Sequence, residues 1–196
     1  MPRPLSADAR GKMLRAAQEI VRERGLDGFT VDAVAAASGV AKTTIYRHFE
    51  SSNELLLAAL SETVGEVPDI DTGDPRADLI DLLRRYVSMA SQPGLQQLFT
   101  AVMQRASNDD DFWRLHQGLI AERKLPLRLA IQRAIASGMI DPTIDIDLIA
   151  ALLEGPLIAR VMHDRGEFRP GEIEQLVDLV LRAVVRADEP AGQPIP

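Results

Sequence analysis

The chain has 196 residues, 46% of them hydrophobic, which is enough for one substantial helical core or two small ones. It has no cysteine and three histidines, which excludes a disulfide, a thiolate metal site and a cysteine nucleophile, and leaves little material for a metal cluster. No apolar run approaches the ~20 residues of a membrane helix, and the opening MPRPLSADAR lacks the apolar core of a signal peptide. We therefore expect a cytoplasmic protein that uses no cofactor and does not associate with membranes.

The formal net charge of −7 is unevenly distributed along the chain. Residues 1–60 contain eight Lys/Arg against seven Asp/Glu, a charge of +1, so the remaining residues carry −8. A near-neutral N-terminal third attached to an acidic body is expected if only one end approaches phosphates. The charge distribution permits nucleic-acid binding at the N-terminal end without establishing it.

Local signals divide this N-terminal third into four short helices. Apolar residues at helical spacing predict a first helix over about residues 7–24. Thr30 is a favourable N-cap for a second helix that ends at the tight turn around Gly39. A third helix should run from about Ala41 to His48. Ser51 begins a fourth helix as the first residue of an S-x-x-E capping box.

The second and third helices, joined by a tight glycine-containing turn, predict a helix-turn-helix whose second helix enters the major groove of DNA. Lys42 and Arg47 can bind phosphate or guanine. Tyr46 and His48 can donate to phosphate, and threonine can contact the backbone or a thymine methyl group. An ordinary solvated helix face is the alternative. The candidate DNA contacts are Thr30, Lys42, Thr43, Thr44, Tyr46, Arg47 and His48.

The stretch TVDAVAAASGVAKTTIYRHFESSNELL resembles the signature segment of tetracycline-repressor (TetR) type regulators. The T-x-x-x-[IV]-A-x-x-[AS]-G-V core corresponds to residues 30–40, the Y-R-H-F ending of the recognition helix to 46–49, and S-x-x-x-L-L to 51–56. The resemblance implies an all-α protein of about nine helices, with an N-terminal three-helix helix-turn-helix domain and a C-terminal helical domain for ligand binding and dimerisation. It implies a ligand-responsive transcriptional repressor that binds a palindromic operator on double-stranded DNA as a homodimer, with an unknown small molecule as effector.

The segment departs from the usual TetR pattern at three positions. Ala41 stands where the family usually has Ser, Thr43 where it has Gly or Ala, and Ser52 where it has Lys. The missing Ser removes a cap from the recognition helix, and the missing Lys removes a phosphate contact. We therefore expect weakened DNA affinity rather than a different function.

Beyond residue 64 the resemblance is weaker, and helical periodicity carries the prediction. Residues 65–74 form a turn-rich linker that leads into a helix starting at Pro75. A long helix is expected from about residue 110 to 137, and Pro126 should bend or divide it. The predicted organisation is a helix-turn-helix domain over 1–50, a connecting helix over 51–64, a ligand-binding and dimerisation domain over 75–187, and a disordered tail over 188–196.

The last two predicted helices, one from about Asp145 and one after Gly171, are apolar over more than one stripe. In a chain of this size that indicates burial on two sides, against the same chain and against another subunit. The segment also resembles the paired C-terminal helices of TetR-type dimers. We expect a homodimer, with a monomer as the alternative. The candidate interface residues are Leu153, Leu157, Val161, Leu176, Leu179 and Val180.

The resemblance places the effector among the middle helices of the larger domain. The residues there that suit an apolar cavity with a few polar groups are Tyr86, Phe99, Met103, Phe112, Trp113, His116 and Gln117. A stripe of Trp, Phe and Met at helical spacing is equally compatible with ordinary core, and a lone histidine with a satisfied polar residue. Pocket and core therefore remain alternatives for this set.

Two other functional classes compete with the regulator. An enzyme would need a nucleophile with a base, paired carboxylates or a metal set, and neither Glu154 nor the run Asp109-Asp110-Asp111 has a partner at an informative spacing. We expect no enzymatic activity and no metal site. The second alternative is a helical dimer that binds a small molecule or protein and has lost DNA binding, because the N-terminal third carries only +1.

Overall fold

The computed structural model describes residues 7–92, 94–160 and 166–185, which contain nine α-helices and no strand. The helices are α1 (Ala7–Arg24), α2 (Val31–Ser38), α3 (Lys42–His48), α4 (Ser52–Val64), α5 (Pro75–Ala90), α6 (Leu95–Ala106), α7 (Asp110–Ala136), α8 (Ile146–Ile158) and α9 (Glu172–Val184). The predicted all-α fold is therefore confirmed over the described part of the chain. Among these helices none is both long and apolar enough to span a membrane. The predicted tail over 188–196 lies outside the described residues.

The chain divides into two compact units, each made of two sequence segments. The first unit consists of Met1–Glu66 and Met89–Arg123, and the second of Val67–Ser88 and Lys124–Pro196. Each unit has its own hydrophobic core. The domains predicted from the sequence divide the chain by function, whereas these two units are defined by packing. The predicted domain boundaries therefore stay predictions.

In the first unit, α1 is the central packing element. It contacts α2, α4 and α6, while α4 also contacts α6, and α2 contacts α3. Leu14, Ala17 and Val21 recur at spacings of three and four residues along α1, and each is at most 1% exposed. This spacing places them on one helix face, so α1 buries a continuous apolar stripe against its neighbours.

The start of α4 is fixed by the capping box that the sequence predicts. The Ser51 side-chain oxygen accepts a hydrogen bond from the Glu54 backbone N–H at 3.2 Å. The Glu54 carboxylate in turn accepts from the backbone N–H of Glu50 at 2.6 Å, one residue before the cap. The first bond satisfies a donor that the helix end would otherwise leave unpaired, and the second satisfies the N–H of the residue before the cap, where a standard capping box would bond the N–H of Ser51 itself.

α7 continues through Pro126 without a break, so of the two predicted effects of this proline, division of the helix is wrong, and a bend stays a prediction. Proline has a backbone φ compatible with a helix and removes one hydrogen bond. Leu127, Ala130 and Ile131 follow directly and are all fully buried. Their burial offsets the lost bond, because tertiary packing supplies most of a helix's stability in a folded protein.

The start of α9 is tied to the end of α8 through the Glu172 carboxylate. Glu172 accepts hydrogen bonds from the Arg169 backbone N–H at 2.8 Å and from the Arg160 guanidinium at 2.7 Å. The backbone and side-chain bonds from Arg169, together with the charge of Arg160, lower the pKa of Glu172 to about 2. The carboxylate is therefore charged at neutral pH, as the N-terminus of a helix favours.

The α4 cap provides a test of local stability. We expect Ser51→Ala to lower the free energy of unfolding by about 1 kcal/mol, because the Glu54 N–H loses its acceptor. Ser52→Ala, at the first residue of the helix, is the matched control and should change it by less than about 0.5 kcal/mol. Both values are measured by urea denaturation followed by circular dichroism. Equal effects of the two substitutions would show that the cap does not stabilise α4.

Candidate nucleic-acid interface

The turn between α2 and α3 depends on Gly39. Its φ is 69°, in the left-handed region, and its N–H donates to the Ala35 carbonyl oxygen at 3.0 Å. A Cβ at this position would meet no atom within 4 Å, so backbone conformation rather than space favours glycine. The Val40 N–H then donates to the Ser38 hydroxyl at 3.2 Å. The turn of the predicted helix-turn-helix is therefore fixed by local interactions.

The two helices that flank this turn begin differently. Thr30 caps α2, and its hydroxyl oxygen accepts a hydrogen bond from the Ala33 N–H at 3.1 Å. The hydroxyl hydrogen is still available to donate to a phosphate. Ala41 occupies the N-cap of α3 and makes no side-chain bond, as the departure from the TetR pattern predicts.

The seven residues of α3 present most of their side chains to solvent. Ile45 is 1% exposed, and Phe49, directly after the helix, is 4% exposed. These two residues lie four apart and anchor one face of the helix in the core of the first unit. Of the candidate DNA contacts, the exposed ones are Thr30, Lys42, Thr43, Tyr46 and Arg47, and the half-buried ones are Thr44 and His48.

The cations on this surface have different surroundings. Arg47 makes no ion pair with any residue that the structure describes, so its guanidinium is available to a phosphate or a base. Lys42 instead forms an ion pair with Asp32, in the first turn of α2. The Nε2 atom of His48 is buried without a hydrogen-bond partner among the described residues, which leaves Nδ1 as its group for an outside contact.

Sequence reasoning missed two polar bridges that hold α4 in the first unit. The Asn53 amide donates to the Asp109 carboxylate at 2.9 Å and accepts from the Arg105 guanidinium at 2.8 Å. At the other end of α4, Arg123 donates to the Ser61 and Gly65 carbonyl oxygens, each at 3.0 Å. Pairs separated by more than fifty residues leave no periodic signal in one sequence, so nothing in the pattern could have identified them.

The candidate effector contacts are divided between the units. Tyr86 belongs to the second unit, and the other six belong to the first. On α6, Phe99 and Met103 are half-buried; on α7, Phe112 is fully buried and Gln117 is exposed. Phe112 belongs to the core of the first unit, and Met103 packs against that core. The structure therefore brings part of the set together, and Tyr86 packs against the core of the second unit.

His116 is a buried polar residue within this set. It is 4% exposed, and neither ring nitrogen has a hydrogen-bond partner among the described residues. Its ring centroid lies 5.8 Å from that of Trp113, which is 45% exposed. Burial lowers the pKa of the imidazole, so the neutral ring is favoured at neutral pH. An unsatisfied buried polar group costs about 1–3 kcal/mol, and a ligand that supplies a hydrogen bond would remove that cost.

The candidate interface residues on α8 and α9 differ in burial. Those in the core of the second unit are Leu153, Leu157 and Val180, at 1%, 5% and 7% exposure. Leu176 is half-buried, whereas Leu179 is 58% exposed. Val161 lies outside the described residues. Leu179 is therefore the described candidate whose side chain is free to meet another subunit.

The sequence predicts a second apolar side of α8, but it did not identify the residues that the structure leaves exposed. Leu148, Leu152 and Ile158 are 55%, 44% and 47% exposed. The helix is apolar on several sides, so sequence spacing could not decide which side its own core would cover. These residues and Leu179, on α9, which contacts α8, are the exposed large aliphatic residues of the two helices, and we call them together the α8–α9 apolar face.

Comparisons with known proteins agree with this architecture. Residues 13–59 match the family model of bacterial regulatory proteins of the tetR family, and residues 69–180 match the model of the tetracyclin repressor-like C-terminal domain.

The described residues contain no group of three or more His, Asp or Glu placed to hold a metal ion.

Similar proteins include two mycobacterial regulators and one solved structure. The DNA-binding transcriptional repressor TetR of Mycobacteroides abscessus is 32% identical over 180 residues, covering 89% of this chain and 92% of that protein. An uncharacterised HTH-type transcriptional regulator of Mycobacterium tuberculosis, Rv1556, is 30% identical over 174 residues, covering 87% and 84%. The crystal structure of MexZ, a repressor of Pseudomonas aeruginosa, has the same fold, with a TM-score of 0.65 at 20% identity over 93% of this chain and 98% of that one.

The family models cover both the helix-turn-helix and the C-terminal helices, and relatives at 30% identity or above match along most of the chain. The chain belongs to the TetR family of DNA-binding transcriptional regulators.

Proposed function

We propose that this regulator is a homodimeric repressor that acts in the cytoplasm, binds a palindromic operator through α3, and changes its DNA affinity when a small molecule binds. We propose no catalytic role for it. The observation that carries the DNA-binding part is the exposed polar face of α3, held in place by buried Ile45 and Phe49.

The side chains on the exposed face of α3 suit contacts with both the phosphate backbone and the bases of DNA. Lys42 and Arg47 provide cations, and Thr43 and Tyr46 provide exposed hydroxyl groups. Residues near the N-terminus of a recognition helix meet base edges, and the cations around it position the helix on phosphates. The Thr30 hydroxyl adds a donor at the start of α2.

The α8–α9 apolar face supports the homodimer. Exposed large aliphatic side chains that cluster on two adjacent helices mark an interaction surface. In a two-fold symmetric dimer the same face meets itself, so no second complementary surface is needed. A symmetric dimer would present two copies of α3, which is the arrangement that a palindromic site requires.

The surroundings of His116 support the small-molecule effector. Phe112 and Trp113 provide aromatic surface on the same helix, and the neutral imidazole provides one donor and one acceptor without a partner. These groups lie in the first unit, whose core also includes the helix-turn-helix. We therefore favour an effector with an apolar body and one hydrogen-bonding group.

The role of α3 can be tested by removing its cations. We expect Arg47→Ala to weaken binding to the chain's own upstream DNA and to reduce the slope of log K against log salt by about 0.9, the value for one lost phosphate contact. Lys42→Ala should weaken binding with a smaller change of slope, because Asp32 already neutralises this lysine.

The control for these variants is Arg114→Ala, which removes an exposed arginine paired with Asp111 on α7. Mobility-shift titrations at several salt concentrations give the slopes. Binding that is unchanged in both α3 variants would contradict the placement of the interface. No binding by the unmodified protein would favour a regulator-like dimer that has lost its DNA function.

The proposed dimer can be tested at Leu179. Because this leucine is 58% exposed in the single chain, Leu179→Arg should leave the fold intact. In a dimer it would bury a charge, at a cost of about 3–5 kcal/mol, so the variant should sediment as a monomer and bind DNA weakly. Leu115→Arg, at a leucine with 51% exposure on α7, is the control and should remain dimeric. A Leu179→Arg variant that is folded and dimeric would show that the dimer interface does not include Leu179.

The effector site can be tested by fluorescence, because Trp113 is the single tryptophan of the chain. A compound that binds beside His116 should change Trp113 emission and shift DNA affinity by a factor corresponding to about 1–3 kcal/mol of coupling. By linkage, DNA must then change the affinity for that compound by the same factor. A fluorescence response with equal compound affinities in the presence and absence of DNA would contradict the coupling.

A further inference from the structure

The ion pair between Asp32 and Lys42 is a feature of the candidate interface that DNA binding alone does not explain. Asp32 lies in the first turn of α2, and Lys42 is the first residue of α3, so the pair bridges the two helices of the helix-turn-helix. The side chains are 68% and 52% exposed, which leaves both charged groups accessible to DNA. A carboxylate at such a surface repels phosphate, so the pair does not strengthen binding to DNA of arbitrary sequence.

Because the helix-turn-helix has few cations, this ion pair affects its attraction to DNA more than an ordinary surface ion pair would. Residues 30–50 contain two acidic residues, Asp32 and Glu50, and two basic residues, Lys42 and Arg47, so their formal net charge is zero. With Lys42 held by Asp32, Arg47 is the cation on α3 that has no ion-pair partner among the described residues. Attraction to DNA of arbitrary sequence, which depends on the number of phosphates neutralised, is therefore small.

An acceptor and a donor held side by side also have a specific complement in the major groove. A C·G pair presents the cytosine N4 amino donor next to the guanine O6 and N7 acceptors. A carboxylate accepts from cytosine N4, and a lysine ammonium donates to guanine O6 and N7. An A·T pair does not place two adjacent acceptors beside its amino group, so it satisfies the lysine less completely.

We propose that Asp32 and Lys42 together read one C·G base pair in each half of the operator, and that Asp32 neutralises Lys42 on other DNA. The inference rests on the proposed function, because it requires α3 to enter the major groove. At the matching base pair the two side chains exchange their mutual contact for contacts to cytosine and guanine. On other sequences the ion pair persists, and Lys42 contributes little to binding.

The test is selection from a randomised duplex library, together with titration of a duplex of random sequence. Asp32→Ala should weaken the C·G preference at one position of each half-site, because the cytosine N4 amino group loses its acceptor. It should also bind random duplex about 3- to 10-fold more tightly near 0.1 M salt, because the freed lysine neutralises one more phosphate. Lys42→Ala should weaken the preference at the same position, because guanine loses its donor, without tightening binding to random duplex.

Asp32→Asn gives a second readout that does not depend on loss of binding. Asparagine pairs with adenine N6 and N7, so the preferred base pair at that position should change from C·G to A·T. The matched control is Asp111→Ala, which removes an exposed aspartate from the first turn of α7 and from an ion pair with Arg114 at 2.9 Å. This control should select the same sequence as the unmodified protein and keep its affinity for random duplex.

The outcomes separate the inference from the proposed function. If Arg47→Ala weakens binding but both Asp32 variants keep the original selected sequence and the original affinity for random duplex, the reading role of the pair is overturned and the DNA-binding function stands. If the unmodified protein selects no sequence from the library, the proposed function fails and the inference fails with it.

Discussion

The burial of Ile45 and Phe49 is the constraint on which the candidate interface depends. Isolated helices shorter than about 12–15 residues are marginal in water, and α3 has seven residues and no side-chain cap. Each buried aromatic or aliphatic side chain of this size contributes about 1.5–3 kcal/mol, which is enough to hold so short a helix against the core. Because these two residues occupy one face, the remaining side chains of α3 are left for recognition.

The same core connects the recognition helix to the groups proposed to bind effector. It includes Ile45 and Phe49 from the helix-turn-helix, several leucines of α4, and Phe112 from α7. Asn53 and Arg123 add hydrogen bonds that join the two ends of α4 to α6 and α7. In the proposed function, a ligand beside His116 would act on DNA affinity by favouring one arrangement of these contacts over another.

Much of the fold could be predicted because its helix boundaries have local causes. The cap at Thr30, the left-handed turn at Gly39 and the capping box at Ser51 are all encoded within a few residues, and each is found in the structure. The continuity of α7 through Pro126 could not be predicted, because it depends on burial of the residues that follow the proline. The ion pair of Lys42 with Asp32 was also not predicted, because it depends on how α2 and α3 are placed relative to each other.

The residues exposed on α8 also could not be predicted from the sequence. Its composition indicates burial on two sides, but only the packed structure shows that Leu153 and Leu157 face the core of the second unit while Leu148 and Leu152 face outward. The exposure of the candidate DNA-contacting residues on α3 was easier to predict from the sequence, because a short helix with two buried positions leaves its other residues exposed or half-buried. The structure gives the position of every candidate residue except Val161, and the contacts of these residues with DNA, effector or partner subunit stay predictions.

The most direct test of the central claim is a hydroxyl-radical footprint of the protein on its own upstream DNA. A symmetric dimer that inserts two copies of α3 into successive major grooves should protect two patches whose centres are about 10 base pairs apart, related by two-fold symmetry. Both patches should disappear together when the dimer dissociates. A single patch, or protection without two-fold symmetry, would contradict a homodimer that reads a palindromic operator through α3.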